Sequence, residues 1–480
     1  MKYRRCLLGV VCLLAGCSSA PGSSEPEGKS SSPLMSTWEA CSRTAVSLVV
    51  TAIEETPYSP PMASSPAGMV FSADDGVRGR EPWVSNGVPG AGTRLLKELV
   101  PGAESSDPRW FTRVGTQVFF AATDPVAGRE LFVSDGTPDG TRRVKDIWPG
   151  AVGSFPAELF AFKGLLYFAA GDPVNGRELW RSDGTAAGTV LVADMEGGPE
   201  DSSPYQLTQG GDGALYFLRS ERSTFTLLMR TEGGAGAVEV FRTPSDQGFP
   251  SPLTPVGRKL FFVEGGMHGG GGSHGRSGTL MVTEAGATPE MLGHFGMLGE
   301  LAAVGGRLLF SASPHRVAED MELWRSDGTM AGTTLLEDIR PGPEGSYPEH
   351  FAVLENRLFF AADDGIHGVE PWDSDGTEPR TRLFGDLEAG AGSSSPSDLT
   401  TVEDLLFFGA SIRNRGAEPW VGNGVRLSTV SLTEIAPGPR SSNPRNFMRS
   451  QDHAFFTAED DGGVRRLYSL LIRPDGGCPP

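Results

Sequence analysis

The chain has 480 residues, 65 of them Gly and 37 Pro, with a formal net charge of −19 at pH 7. That charge disfavours nucleic acid and anionic membrane surfaces as partners and favours cations, basic proteins or polycationic surfaces. Gly and Pro sit between short aromatic-rich runs, the profile of many short strands joined by turns and not of disorder.

At the N-terminus, Lys2, Arg4 and Arg5 precede an apolar stretch from Cys6 to Leu13 that is too short to span a bilayer. Leu14-Ala15-Gly16-Cys17 follows and resembles the lipobox of bacterial lipoproteins. The resemblance implies that residues 1–17 are a signal, that Cys17 carries the acyl chains (palmitate among them), and that Ser18 in place of Asp directs the protein to the outer membrane. At about 0.8 kcal/mol per buried CH₂, such an anchor is effectively permanent. Residues 18–37, opening SSAPGSSEPEGKSSSP, read as a flexible polar tether to a folded body over 38–480. Cys6 and Cys12 leave with the signal and Cys17 is used by lipid. Cys41 and Cys478 then remain at opposite ends of the body, in a compartment where disulfides persist, and a Cys41–Cys478 bond is expected.

From residue 70 onward a unit of about 48 residues recurs. Its anchor is Glu-(Leu/Pro)-aromatic followed by Ser/Gly-(Asp/Asn)-Gly, at Glu81, Glu130, Glu178, Glu322, Glu370 and Glu418. The gap between Glu178 and Glu322 is three units, so the register survives two copies without the anchor. Such a period means supersecondary units that bury apolar faces only against their neighbours.

The unit over Leu358 to Asp404 illustrates the predicted strands. Leu358–Ala362, Glu370–Ser374 and Thr381–Leu387 read as the first three, and Asp398–Val402 as a weaker fourth, each bounded by Gly, Pro, Asp or Ser. Four short strands per unit predict an all-β fold, a single β-propeller. The paired-aromatic strand occurs nine times, at Phe71, Phe120, Phe168, Phe217, Phe262, Phe310, Phe360, Phe408 and Phe456. About nine four-stranded blades are expected, eight being the other count, with one blade built from both termini. In that closing blade Arg465–Ile472 is paired with an N-terminal strand over Ala45–Ile53 and a poor fourth near Met62–Ser65.

These residues also carry a family resemblance. Over residues 70 to about 470 the units resemble the ELWxxDGT repeat of bacterial surface and secreted lipoproteins. Glu178-Leu179-Trp180, Asp183-Gly184-Thr185 and Gly188-Thr189 match in full, whereas Phe132 and Pro371 replace Trp and Leu. The units at Glu81 and Glu418 carry Asn86-Gly87-Val88 and Asn423-Gly424-Val425 instead of Asp-Gly-Thr. The family brings no activity or ligand with it.

The candidate chemistry lies in the repeated side chains. Trp83, Phe132, Trp180, Trp324, Trp372 and Trp420 read as filler between blades, ahead of a carbohydrate-stacking ring. The six anchor glutamates should form a ring of carboxylates bonded to turn amides, ahead of calcium coordination or catalysis. Asp135, Asp183, Asp327 and Asp375 suit a turn needing positive φ, a role that Asn86 and Asn423 can share. Asp74, Asp75, Asp363 and Asp364 are the weak calcium candidates, without the spacing of a calcium loop; Asp460-Asp461 is a similar pair. The two degenerate units, 214–307, contain a Gly-rich loop with His268 and His274. No Gly-x-Ser-x-Gly elbow, H-E-x-x-H or phosphate-cradling loop occurs. The expectation is therefore a monomeric, lipid-anchored binding platform without a cofactor, for an envelope or extracellular protein or a glycan. An envelope hydrolase or lyase with an axial cleft is the alternative.

Overall fold

Each copy of the repeat builds one antiparallel sheet, because its second strand is too apolar to leave either face in water. In Gln117–Asp124, Phe119 faces one neighbouring sheet and Phe120 the other, and both are buried. The third strand alternates in the same way: Leu179 packs forward and Trp180 backward. A sheet buried on both faces must have a sheet on each side.

The computed structural model describes residues 38–41, 46–47, 60–245, 252–265, 276–314 and 319–474. Cys17, the 18–37 tether, Cys478 and the loop containing His268 and His274 lie outside them. Residues 36–480 form one unit. Six of its sheets have four strands, the one built from both termini has five, and the remaining exception has seven. In the exception, the 15-residue strand Glu290–Val304 ends one blade and begins the next: it pairs through Leu298 with Arg276 and through Val304 with Arg307. Counted this way the described residues form nine blades. Numbered in chain order, blade 1 spans 62–95, blade 5 begins at Thr254, blade 6 ends at Glu337, and blade 8 spans 397–431. The chain is an all-β propeller.

The ring is closed by apolar packing. Nine clusters of buried side chains fill the nine interfaces between consecutive blades. The last of them joins Met62, Met69 and Phe71 of blade 1 to Phe455 and Leu467 of blade 9. Ser64 donates to Ser450 at 3.0 Å and Ser469 to the carbonyl of Gly87 at 2.8 Å across the same seam.

Both termini build blade 9, with a phase that differs from the expected one. The C-terminal strands Arg445–Ser450, His453–Glu459 and Arg465–Pro474 form three strands of the sheet. The outer edge is N-terminal: Trp38–Ala40 pairs with Ile472–Pro474, and Val46–Ser47 pairs with Tyr468–Ser469. Pairing starts at Trp38, upstream of the expected Ala45. Met62–Ser65 belongs to blade 1, where it pairs with Gly68–Phe71.

The same shift applies in every blade. Ser397–Val402, expected as the fourth strand of one unit, is the first strand of the next. A two-residue turn at Glu403-Asp404 folds it onto Leu405–Ala410, while the longer segment 384–396 crosses between sheets. A tight turn pairs its two flanking strands with each other. These first strands touch from blade to blade and therefore line the axis.

Candidate functional site

The six anchor glutamates begin, or nearly begin, the third strands, and each is almost fully buried. Each carboxylate reaches the segment that leaves its own blade for the next one. Glu178 accepts from the amides of Met195 at 3.2 Å and Ser202 at 3.1 Å and from the Ser202 hydroxyl at 2.5 Å. Glu322 accepts from Ile339, Arg340, the Ser346 amide and the Ser346 hydroxyl; Glu370 does the same with Leu387, Glu388 and Ser394. Glu81, Glu130 and Glu418 bind Ser106, Ser154 and Ser442 with neighbouring loop amides. The serine belongs to a Ser-x-Pro motif 24 or 25 residues downstream of the glutamate, a coupling that could have been found by aligning the units.

Burial raises the pKa of all six glutamates, and the hydrogen bonds lower it only in part. Glu178 and Glu322 are pushed up to about 7. A perturbed carboxylate is often a functional one. Here every carboxylate is closed off by its own loop, and its oxygens are occupied by protein donors.

Where the glutamate is missing, another polar contact appears at that position or beside it. Leu227 of blade 4 occupies the register of Glu178, and in the same blade Arg219 forms a buried ion pair with Glu196 of the preceding loop. In blade 5 the register position is Thr279, whose hydroxyl lies 2.7 Å from His294 Nδ1.

The Asp-Gly-Thr turns are self-contained. Asp183 Oδ1 accepts from the Thr185 amide at 2.8 Å and its hydroxyl at 2.7 Å, and Ser182 Oγ meets Thr189 Oγ1 at 2.8 Å. Asp135, Asp327 and Asp375 repeat the arrangement. The bond from the threonine hydroxyl holds Asp135, Asp183 and Asp327 below the usual carboxylate pKa. Positive φ falls on the glycine of each turn, +90° at Gly136 and Gly184, and not on the aspartate. Only an oxygen acceptor is needed at the aspartate, so Asn86 and Asn423 serve by accepting from Val88 and Val425.

The calcium candidates are engaged in the same manner. Asp74 and Asp75 bind the amides of Gly76, Val77 and Arg78, and Asp75 also meets the Arg78 guanidinium at 2.5 Å. Asp363 and Asp364 bind Gly365, Ile366 and His367, with Arg340 on Asp363 and the His367 ring 2.7 Å from Asp364. Among the described residues no group of three or more His, Cys, Asp or Glu could hold a metal.

The anchor aromatics are inside the ring. Trp180 packs with Phe168, Phe119 and Leu131, and Trp372 and Trp420 take the equivalent places at later interfaces. The proline beside some of them, at 82, 371 and 419, offers its carbonyl to the fourth strand through Leu96, Phe384 and Leu432.

A second set of positions has no counterpart in the sequence reading. The first strands of six blades carry a bulge whose second residue has φ between +51° and +63°: Trp110, Glu158, Gln206, His350, Asp398 and Asn446. All six are different residue types (an indole, an imidazole, two carboxylates and two carboxamides), and none is Gly. Non-glycine residues held at positive φ are strained and cluster at functional sites. Glu158 Oε2 accepts the Gln206 amide of the next blade at 2.8 Å, and Glu300 accepts the amides of His350 and Phe351 at 2.8 and 2.7 Å. These contacts join the first strands of blades 3 and 4 and of blades 6 and 7 near the mouth of the axis.

No family model and no curated protein matches the chain. Among solved structures it is similar to a prolyl endopeptidase studied for inter-domain dynamics, at 12% identity and a TM-score of 0.42, over 67% of this chain and 50% of that one. It is also similar to the β-propeller domain of the Trilobed protease from Pyrococcus furiosus, at 14% identity and a TM-score of 0.38, over 69% and 97%. A puromycin-hydrolysing peptidase of Mycobacterium tuberculosis gives 12% identity and a TM-score of 0.38, over 74% and 58%. The chain spans about half the length of the prolyl endopeptidase it matches. These likenesses carry no argument about activity, and the propeller assignment rests on the sheets themselves. Among the described residues no helix is long and apolar enough to cross a membrane.

Proposed function

We propose that this protein is a binding module of the bacterial cell envelope, held by lipid at Cys17 and the 18–37 tether, whose ligand is an envelope or extracellular protein or a glycan. One observation carries the reading. The acidic side chains that repeat are occupied by loop amides, hydroxyls and arginines, whereas the bulge residues at the axial mouth are a different residue type in each of six blades. Repetition maintains the scaffold, and variation along one half-buried rim is what recognition of an irregular ligand requires. The −19 charge adds attraction for basic partners. A Cys41–Cys478 disulfide belongs to the same proposal. Cys41 is disulfide-bonded, and its amide donates to the Leu471 carbonyl at 2.9 Å, seven residues before Cys478.

The test uses the chain from residue 18 onward as bait in envelope extracts, beside a variant with Trp110, His350 and Asn446 changed to Ala. Capture of a protein or glycan by the parent and not by the variant is expected. Turnover of peptidase, esterase or glycosidase substrates, abolished in the same variant, would replace the binding reading by the enzymatic one.

A further inference from the structure

The opposite ends of the blades from the axial bulges present the Asp-Gly-Thr turns. There, on blade 6, lies a cavity of about 230 Å³ lined by Arg307, Arg325, Ser326, Asp327, Gly332 and Thr334. We propose that it binds the carboxylate of a small hydroxylated ligand, such as one acidic sugar residue.

Comparison with the next blade supplies the argument. Arg357 of blade 7 sits on the same strand position as Arg307, as their pairing with Leu354 and Val304 shows. Asp373 likewise corresponds to Arg325, through its pairing with Phe359 as against Leu309. In blade 7 the two positions form an ion pair at 2.5 Å. In blade 6 the acid has become a second arginine, so two guanidiniums face the same cavity in a chain of net charge −19.

The protein does little to neutralise this pair. Among the described residues Arg307 makes no hydrogen bond or ion pair. Among the described residues Arg325 reaches only Gly376 O at 3.4 Å and Thr334 Oγ1 at 3.5 Å, at the outer limit of a hydrogen bond. Each guanidinium offers five N–H donors in a planar fork that matches a carboxylate bidentately.

The rest of the lining selects among anions. Asp327 keeps Oδ1 on Thr329, yet its charge leaves the lining at about +1, which suits a monoanion over a phosphate dianion. The Thr334 hydroxyl can exchange bonds with hydroxyls beside the carboxylate. The volume is below the roughly 300–1,000 Å³ of pockets for drug-sized ligands, so a single sugar-sized group is the natural occupant.

The inference rests on the reading of the protein as a binding module, but its test needs no envelope partner. Titration calorimetry of the body with sodium glucuronate should show saturable, millimolar binding. Glucose, and sodium chloride at matched ionic strength, should give none, and inorganic phosphate should bind more weakly than glucuronate. Arg307→Gln and Arg325→Gln should each weaken glucuronate at least 10-fold without moving the thermal midpoint, while Arg258→Gln at another exposed site leaves it unchanged. Binding that survives in the double variant, phosphate binding more tightly than glucuronate, or no glucuronate heat with the folded parent would each overturn the assignment. None of these outcomes depends on whether the bulge rim captures an envelope ligand.

Discussion

Glu178 and Ser202 lie in different blades' territory and are joined at 2.5 Å. The glutamate opens the third strand of blade 3, and the serine opens the approach to the first strand of blade 4. A neutral hydroxyl and two or three amides therefore converge on one buried carboxylate at every intact seam. The bond works as a clamp, setting where one sheet ends and the next begins.

Glu178→Ala should remove the clamp and leave the Met195 amide, the Ser202 amide and the Ser202 hydroxyl buried without an acceptor. Loss of about 3 kcal/mol is expected in urea unfolding, from the cost of unsatisfied buried donors. Faster amide exchange should appear over 194–204 while distant blades are unaffected. A change below about 1 kcal/mol would show that water replaces the carboxylate freely.

The pH dependence follows from the raised glutamates. Glu178 and Glu322 move from 4.5 to about 7 on folding, so between those values the folded chain binds more protons than the unfolded one. Stability from this source is fully present below about 4.5 and is lost as pH rises through about 7. The unfolding free energy should therefore fall from pH 5.5 to pH 8 by on the order of 1–3 kcal/mol per group, and the thermal midpoint with it. The double variant Glu178→Gln, Glu322→Gln should flatten that slope. A midpoint that climbs over the same interval would refute the burial argument.

Asp183→Asn should be nearly neutral, because Asn already fills this role at 86 and 423. Asp183→Ala, which deletes the acceptor for the Thr185 amide and hydroxyl, should cost about 1 kcal/mol. Calcium at millimolar concentration should leave the midpoint of all three proteins unchanged. A calcium-dependent rise lost in both variants would make the turn a metal site.

The proposed Cys41–Cys478 bond should appear as faster migration on a non-reducing gel, abolished by Cys478→Ser. That change should cost about 2–5 kcal/mol and speed exchange at Ala40 and Cys41, which lie against Ile472 and Leu471. Labelling of both thiols in the native protein would remove the proposal.

By itself the sequence determined the propeller, a count of nine or eight blades, and the phase of the Glu, Trp and Asp-Gly positions. Those features repeat: the Asp-Gly positions are satisfied within one turn, as in Asp183-Gly184-Thr185, the aromatic positions follow one strand's alternation of faces, as in Phe119-Phe120, and each Glu is met by a serine at a fixed spacing downstream, as in Glu178 and Ser202. Tertiary structure alone decided where a blade begins. Ser397–Val402 could pair backward or forward on pattern alone, and the turn at Glu403-Asp404 together with the Glu370–Ser394 clamp sends it forward. It also decided that Trp38–Ala40 forms the outer edge of the last sheet, that six unlike residues share one bulge, and that Arg307 and Arg325 line one cavity. The physical reason is common to all of these: contacts inside a repeat are encoded by local spacing, whereas contacts between repeats depend on packing that brings together residues far apart along the chain.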